Sequence, residues 1–180
     1  MACEIRVDRR LIRAAAGSVR YVLVSVTAQQ APPTAGRVPL HVALVLDRSG
    51  SMGGAKIVLA REAVRQALRA LRPDDWFSLV VYDEEITTVV ESTLASAEAR
   101  RNAMQKLDRI DARGSTDLHG GWLAGCDQLA GRLGADEVGR CLILTDGQAN
   151  AGITEHDELV RLAGAAIRDR RIATSTFGVG

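Results

Sequence analysis

Two aspartates in this sequence stand directly after apolar runs of strand length, at Leu46-Asp47 and Thr145-Asp146. Carboxylates brought close together repel unless one is protonated or a cation bridges them. The residues around the first aspartate favour the cation. Ser49 and Ser51 place hydroxyls two and four positions after Asp47, and Gly50, Gly53 and Gly54 let the backbone fold tightly there. Thr116, in Gly114-Ser-Thr116, adds a hydroxyl from a separate loop. Two carboxylates, three hydroxyls and water make a hard, all-oxygen donor set, which suits Mg²⁺ or Mn²⁺ and admits Ca²⁺. His41, His119 and His156 are scattered and no Cys joins the motif, which argues against zinc. Taken alone, Asp-x-Ser-x-Ser also suits a helix N-cap, where Asp and Ser are favoured. Thr116 and Asp146 together turn the reading toward a metal.

These groups meet only if the chain brings three loops to one place. Residues 41–46 are continuously apolar, the pattern of a strand covered on both faces. Further strands are expected over residues 21–27, 76–82, 86–90, 140–145 and 172–179, the second and third of these close enough to form a hairpin across Asp83-Glu-Glu85. Helical spacing links Ile57, Ala60, Val64, Ala67, Leu68 and Leu71, with Pro73 as the stop. It also links Ala103, Met104, Leu107 and Ile110; then Leu118, Trp122, Cys126, Leu129 and Leu133; then Leu159, Leu162, Ala163, Ala166 and Ile167. Strands alternating with helices predict an α/β fold: a Rossmann-like open, mostly parallel sheet with one antiparallel edge strand and helices on both faces. Ligands of such sheets bind beyond the carboxyl ends of the strands, where strand order reverses. If strands 41–46 and 140–145 flank that reversal, Asp47 and Asp146 face one crevice. Residues 1–39 read as an N-terminal strand segment and a linker rich in proline (Pro32, Pro33, Pro39), and residues 40–180 as the main domain.

Asp47-Arg-Ser49-Gly-Ser51 resembles the Asp-x-Ser-x-Ser motif of the metal-ion-dependent adhesion site of von Willebrand factor A domains. Gly114-Ser-Thr116-Asp-Leu is similar to that family's threonine loop, and Leu144-Thr-Asp146-Gly147 to its second aspartate loop. All three stand in the family's order, within residues 40 to 180. Phrases such as Leu-Asp-Arg-Ser-Gly-Ser-Met-Gly look most like bacterial, intracellular-type members. The resemblance implies that Ser49, Ser51 and Thr116 are direct or near-direct metal ligands and that Asp47 and Asp146 bind directly or through water. A partner protein's Glu or Asp would complete the shell. It also implies a final strand and helix, so residues 40–180 are expected either to be a C-terminally truncated domain or to have that sheet edge covered by another segment. It permits a role as a regulatory or scaffold subunit beside an ATPase that remodels proteins or inserts metals.

Other activities fit less well. A haloacid dehalogenase-like phosphohydrolase needs a second Asp two residues after its nucleophile, where this chain has Ser49. A Gly-x-Ser-x-Gly elbow and a Gly-x-Gly-x-x-Gly loop are both absent. The chain is therefore expected to be a binding module rather than an enzyme. Its 180 residues carry a formal net charge of +1, which gives no electrostatic case for nucleic acid or an anionic membrane. The longest apolar run is far too short to span a bilayer. A charged start without an apolar signal stretch suggests a cytoplasmic location. Aromatics are only 3%, so the core must be aliphatic. Of the remaining residues, Asp117 is read as a helix cap, Met52 and Trp122 as packing residues, and Cys126 and Cys141 as buried thiols. His119 is read as structural or solvent-facing, Asn150 and Gly152 as turn formers, and Asp83-Glu-Glu85 as a solvated turn.

Overall fold

The run expected to be covered on both faces is the centre of the fold. His41–Asp47 forms a strand in which every residue is buried. Val42, Leu44 and Leu46 enter one core and Ala43 and Val45 the other, because successive side chains of a strand point to opposite faces. The computed structural model describes residues 2–7, 21–27, 38–134, 137–147 and 151–180. They divide into two compact units, Met1–Val38 and Pro39–Gly180.

The first unit holds β1 (Ala2–Val7) and β2 (Val22–Thr27), paired antiparallel with Ile5 opposite Val24 and Val7 opposite Val22. Strand β2 was expected; β1 was not, although Ile5 and Val7 alternate with Glu4 and Arg6. Most of the expected linker, residues 28–37, lies outside the described residues, as does the side chain of Cys3.

The second unit runs β3 (His41–Asp47), α1 (Ala55–Ala70), β4 (Trp76–Tyr82), β5 (Ile86–Leu94), α2 (Ala97–Leu107), α3 (Leu118–Ala130), β6 (Gly139–Thr145), α4 (His156–Arg170) and β7 (Ile172–Gly178). The strands lie in the order β5-β4-β3-β6-β7. All neighbours are parallel except β4 and β5, so the antiparallel edge strand is β5. From β3 the chain steps to β4 on one side and later returns to β6 on the other. Order therefore reverses between β3 and β6, whose residues Leu46 and Leu144 are register partners. This places Asp47 and Asp146 on either side of the switch point.

Helices cover both faces. On one, Ile57, Ala60, Val64 and Leu68 of α1 and Ala103 and Leu107 of α2 pack on Val42, Leu44, Leu46, Phe77, Leu79 and Val81. On the other, Trp122, Cys126 and Leu129 of α3 and Ala166 of α4 pack on Ala43, Val45, Val80, Tyr82, Cys141 and Ile143. Helix α3 rides very close to the sheet, because a side-chain carbon at Gly121 would run into the Tyr82 ring and one at Gly125 into Val45. That approach brings the start of α3, and the Thr116 loop before it, over the carboxyl ends of β3 and β4.

Some boundaries differ from expectation. Helix α1 ends at Ala70 rather than at Pro73, and Leu71 is extended. The Asp75 carboxylate explains the early stop: it accepts the N–H of Arg72 at 2.8 Å and of Leu40 at 2.8 Å, tying the end of the helix to the start of β3. Strand β5 continues past Val90 to Leu94, its register with β4 shifting near Leu79 and again recovering Thr93 opposite Phe77. Helix α3 stops at Ala130, short of Leu133, with Gly131 as its C-cap.

Candidate metal site and its supporting ion pairs

Three loops meet at the carboxyl end of the sheet. The first follows β3 and carries Ser49, a short 3₁₀ turn at Gly50–Met52, and the start of α1. The second, between α2 and α3, carries Thr116. The third follows β6 and carries Asp146. Backbone hydrogen bonds join them. The N–H of Gly50 donates to the Gly114 carbonyl at 2.9 Å and that of Arg113 to the Arg48 carbonyl at 2.7 Å, linking the first loop to the second. The Ala151 N–H donates to the Thr116 carbonyl at 3.0 Å, linking the second to the third.

Asp47 is wholly buried, and its two oxygens are held by neutral donors. Oδ1 accepts the Ser49 N–H at 2.8 Å, and Oδ2 accepts the Thr145 hydroxyl at 2.7 Å. Burial pushes the Tyr82 phenol above its ordinary value, the Asp47 charge beside it adding to the effect. No cationic side chain is paired with Asp47 in these contacts. Ser49 and Thr116 are also buried, while Ser51 lies at the surface. The Ser49 and Ser51 hydroxyls stand 3.1 Å apart. The contact is a hydrogen bond, and its length also matches the roughly 3 Å between adjacent oxygens on an octahedral Mg²⁺ at about 2.1 Å. The Asp146 side chain is 3% exposed, and its Oδ2 accepts from the Lys56 ammonium at 3.0 Å. Among the described residues no group of three or more His, Cys, Asp and Glu could hold a metal. A cation here would therefore rest on hydroxyl and water oxygens as much as on carboxylates. The five residues singled out from the sequence, Asp47, Ser49, Ser51, Thr116 and Asp146, thus all lie on these three joined loops.

Asp83 is the residue that sequence reasoning placed wrongly. The Asp83-Glu-Glu85 turn is not simply solvated, because Asp83 is wholly buried. Its Oδ2 lies 3.0 Å from Arg48 Nε and accepts from Arg113 Nε at 2.7 Å, and its Oδ1 accepts the Glu85 N–H at 2.6 Å. Its carbonyl accepts the Asp117 N–H at 2.9 Å. Burial works to raise this carboxyl; the Glu85 N–H and the guanidiniums of Arg113 and Arg48 outweigh it and hold the group below its usual range. Arg48 belongs to the first loop and Arg113 to the second, so Asp83 clamps both. Glu84 adds a further tie by accepting from the N–H and hydroxyl of Ser115. A faint signal existed in the sequence: an arginine stands inside Asp-x-Ser-x-Ser, another stands just before Gly-Ser-Thr, and each needs an acid.

The lesser expectations fare well. Asp117 caps α3 and accepts the Gly120 N–H at 2.9 Å. Met52 is fully buried, and Trp122 is buried with its indole N–H donating to the Thr174 hydroxyl at 2.9 Å. Cys126 and Cys141 are buried free thiols. Gly152 has φ 68°, which suits a turn, whereas Asn150 lies outside the described residues. No helix among the described residues is long and apolar enough to cross a membrane.

This sheet order, with one antiparallel edge and three loops meeting at the switch point, defines a Rossmann-like α/β domain. The von Willebrand factor type A domain profile matches residues 41–180, and the chain belongs to that family. Its members are, in general, protein-interaction modules. The chain is 29% identical over 149 residues to inter-alpha-trypsin inhibitor heavy chain H1 of Sus scrofa, covering 78% of this chain and 16% of the relative. It is 35% identical over 130 residues to heavy chain H4 of Homo sapiens, covering 69% of this chain and 14% of the relative. An uncharacterised protein of Synechocystis is 29% identical over 175 residues, or 96% of this chain and 40% of its own length. The chain thus spans well under half the length of each. Among solved structures, a von Willebrand factor type A protein from Catenulispora acidiphila superposes with TM-score 0.66 at 24% identity, over 79% of this chain and 34% of its own. The von Willebrand factor domain of the pilus tip protein Mfa5 from Porphyromonas gingivalis superposes with TM-score 0.55 at 22% identity, over 75% of this chain and 52% of its own. These likenesses speak to the fold.

Proposed function

We propose that the crevice binds a partner protein's Glu or Asp through a divalent cation, Mg²⁺ in the first place and Mn²⁺ or Ca²⁺ as substitutes, held by Asp47, Ser49, Ser51, Thr116 and Asp146. The observation that carries this reading is the joining of three loops around a buried Asp47 with two hydroxyls 3.1 Å apart beside it. Neutral hydroxyl ligands leave much of the cation's charge uncompensated, so an anionic ligand from outside is favoured. Asp47 would anchor the inner side of the ion, the serine and threonine hydroxyls would set its orientation, and Asp146 would act directly or through water. Family membership supports a binding role over a catalytic one. A phosphohydrolase reading draws no support from the site, where the position that needs a general acid is Ser49 and its N–H is committed to Asp47. A cytoplasmic setting is part of this proposal. An ATPase-linked assembly is one setting for such a module.

The test is capture of interacting protein from the native cell extract by the immobilised domain, with Mg²⁺ or with chelator, beside Asp47→Asn. Capture that is lost with chelator and lost in the variant supports the reading. Capture indifferent to both contradicts it.

A further inference from the structure

Lys56 is an odd residue for its position. It sits in the first turn of α1, where the helix dipole disfavours a cation, and that turn carries no acidic residue to offset it. Its ammonium instead reaches across to Asp146 Oδ2 at 3.0 Å. The lysine is 36% exposed and the carboxylate 3% exposed, so the positive charge enters the crevice from the solvent side. Asp146 is one of the two carboxylates of the candidate site. The other, Asp47, is satisfied by the Ser49 N–H and the Thr145 hydroxyl and has no cation in those contacts.

We propose that Lys56 is a built-in counter-ion that holds Asp146 while no metal is bound and competes with the divalent ion for it. This rests on the metal-site reading and adds to it a setting of the affinity. A dication arriving at the crevice would meet the ammonium's repulsion and would have to displace it from Asp146. Without an internal cation, two buried carboxylates facing one crevice would repel each other in the metal-free protein. The lysine thus stabilises the empty crevice and weakens metal binding by the same contact. Its long flexible stem lets the charged head swing into water once displaced. Metal occupancy would then respond to the concentration of free cation instead of being permanently filled.

Lys56→Met keeps the stem's apolar bulk and removes the charge; Lys56→Arg keeps the charge. Mg²⁺ affinity is measured by calorimetry, and thermal unfolding is followed in chelator, for both variants, the wild type and Thr116→Ala. The expected result is Mg²⁺ binding at least about tenfold tighter in Lys56→Met, equivalent to about 1.4 kcal/mol, with a lower unfolding temperature in chelator. Lys56→Arg should stay near the wild-type affinity. Unchanged or weaker Mg²⁺ binding in Lys56→Met overturns the proposal, as does equal tightening in Lys56→Arg, since charge would then not be the cause. If binding depends on Thr116 but ignores Lys56, only this inference fails. If the wild type and Thr116→Ala behave alike, the site reading itself fails and takes this one with it.

Discussion

Two buried aspartates stand at the ends of neighbouring strands and meet opposite fates. Asp47 pairs in register with Tyr82, the last residue of β4, and Asp83 follows it. Both are wholly shielded from solvent. Asp83 is gripped by two guanidiniums, and its charge is compensated inside the protein. Asp47 is gripped by one amide N–H and one hydroxyl, and its charge is not compensated by them. A buried carboxylate can be satisfied geometrically without being neutralised electrically, and only the second kind still has a use for a cation. The pair therefore divides the work: Asp83 ties Arg48 and Arg113 of two loops together, and under the proposed function Asp47 is the one left to a cation.

The sharpest way to test that division is to remove Asp83. Asp83→Ala leaves Arg48 and Arg113 without their shared acid, so denaturant unfolding at neutral pH should show a loss of about 3 kcal/mol. Acid should reproduce part of the effect. The folded carboxyl lies below its unfolded value, so its stabilising contribution is fully present above the unfolded pKa of about 3.9 and fades as pH falls through the folded one. The stability gap between wild type and Asp83→Asn should hold steady from neutral pH down to about 5 and close below about 4. A gap that closes at higher pH would mean that Asp83 is not held by its arginines as described.

Gly121→Ala acts beside both aspartates, since the added carbon meets the ring of Tyr82, the register partner of Asp47 and chain neighbour of Asp83. Overpacking there should cost about 1–3 kcal/mol in a denaturant melt. A neutral result would show that α3 can retreat from the sheet without harm. Asp47→Asn should do the reverse of Asp83→Ala. It keeps an acceptor for the Ser49 N–H, so stability should move by only about 1 kcal/mol, while metal binding is lost. If Asp47→Asn unfolds the domain instead, Asp47 is a structural residue and the contrast collapses. The smallest effect belongs to Arg132, whose guanidinium lies 4.9 Å from the Trp76 ring centroid at the opposite end of the sheet. Arg132→Ala should cost about 0.5–1 kcal/mol and leave the crevice untouched.

The contrast also separates what the sequence reveals from what it hides. Strand β3 was legible because its unbroken apolar run can only be covered on both faces, and the site loops were legible because each hangs on a strand end or a helix start with its own short motif. The Asp83 clamp was not legible. Asp-Glu-Glu between two strands reads as a water-facing turn, and the arginines that bury it lie 35 and 30 residues away. Such pairing is decided by which loops meet, and local composition does not record it. Lys56 was hidden for the same reason: its partner is 90 residues on, and only its misfit with the helix dipole hints at a tertiary role. Strand β1 was missed because the charged residues in its alternation masked the apolar ones.

The central claim is that three loops share one cation, and calorimetric titration of the chelator-treated domain with Mg²⁺ and Mn²⁺, wild type beside Thr116→Ala, tests it most directly. Thr116 belongs to neither aspartate's loop, so its hydroxyl matters to the metal only if the loops converge on it. The account predicts saturable binding near one ion per chain in the wild type and binding at least about tenfold weaker in Thr116→Ala, a difference of about 1.4 kcal/mol. Equal affinities in the two proteins, or no binding in the wild type, would contradict it.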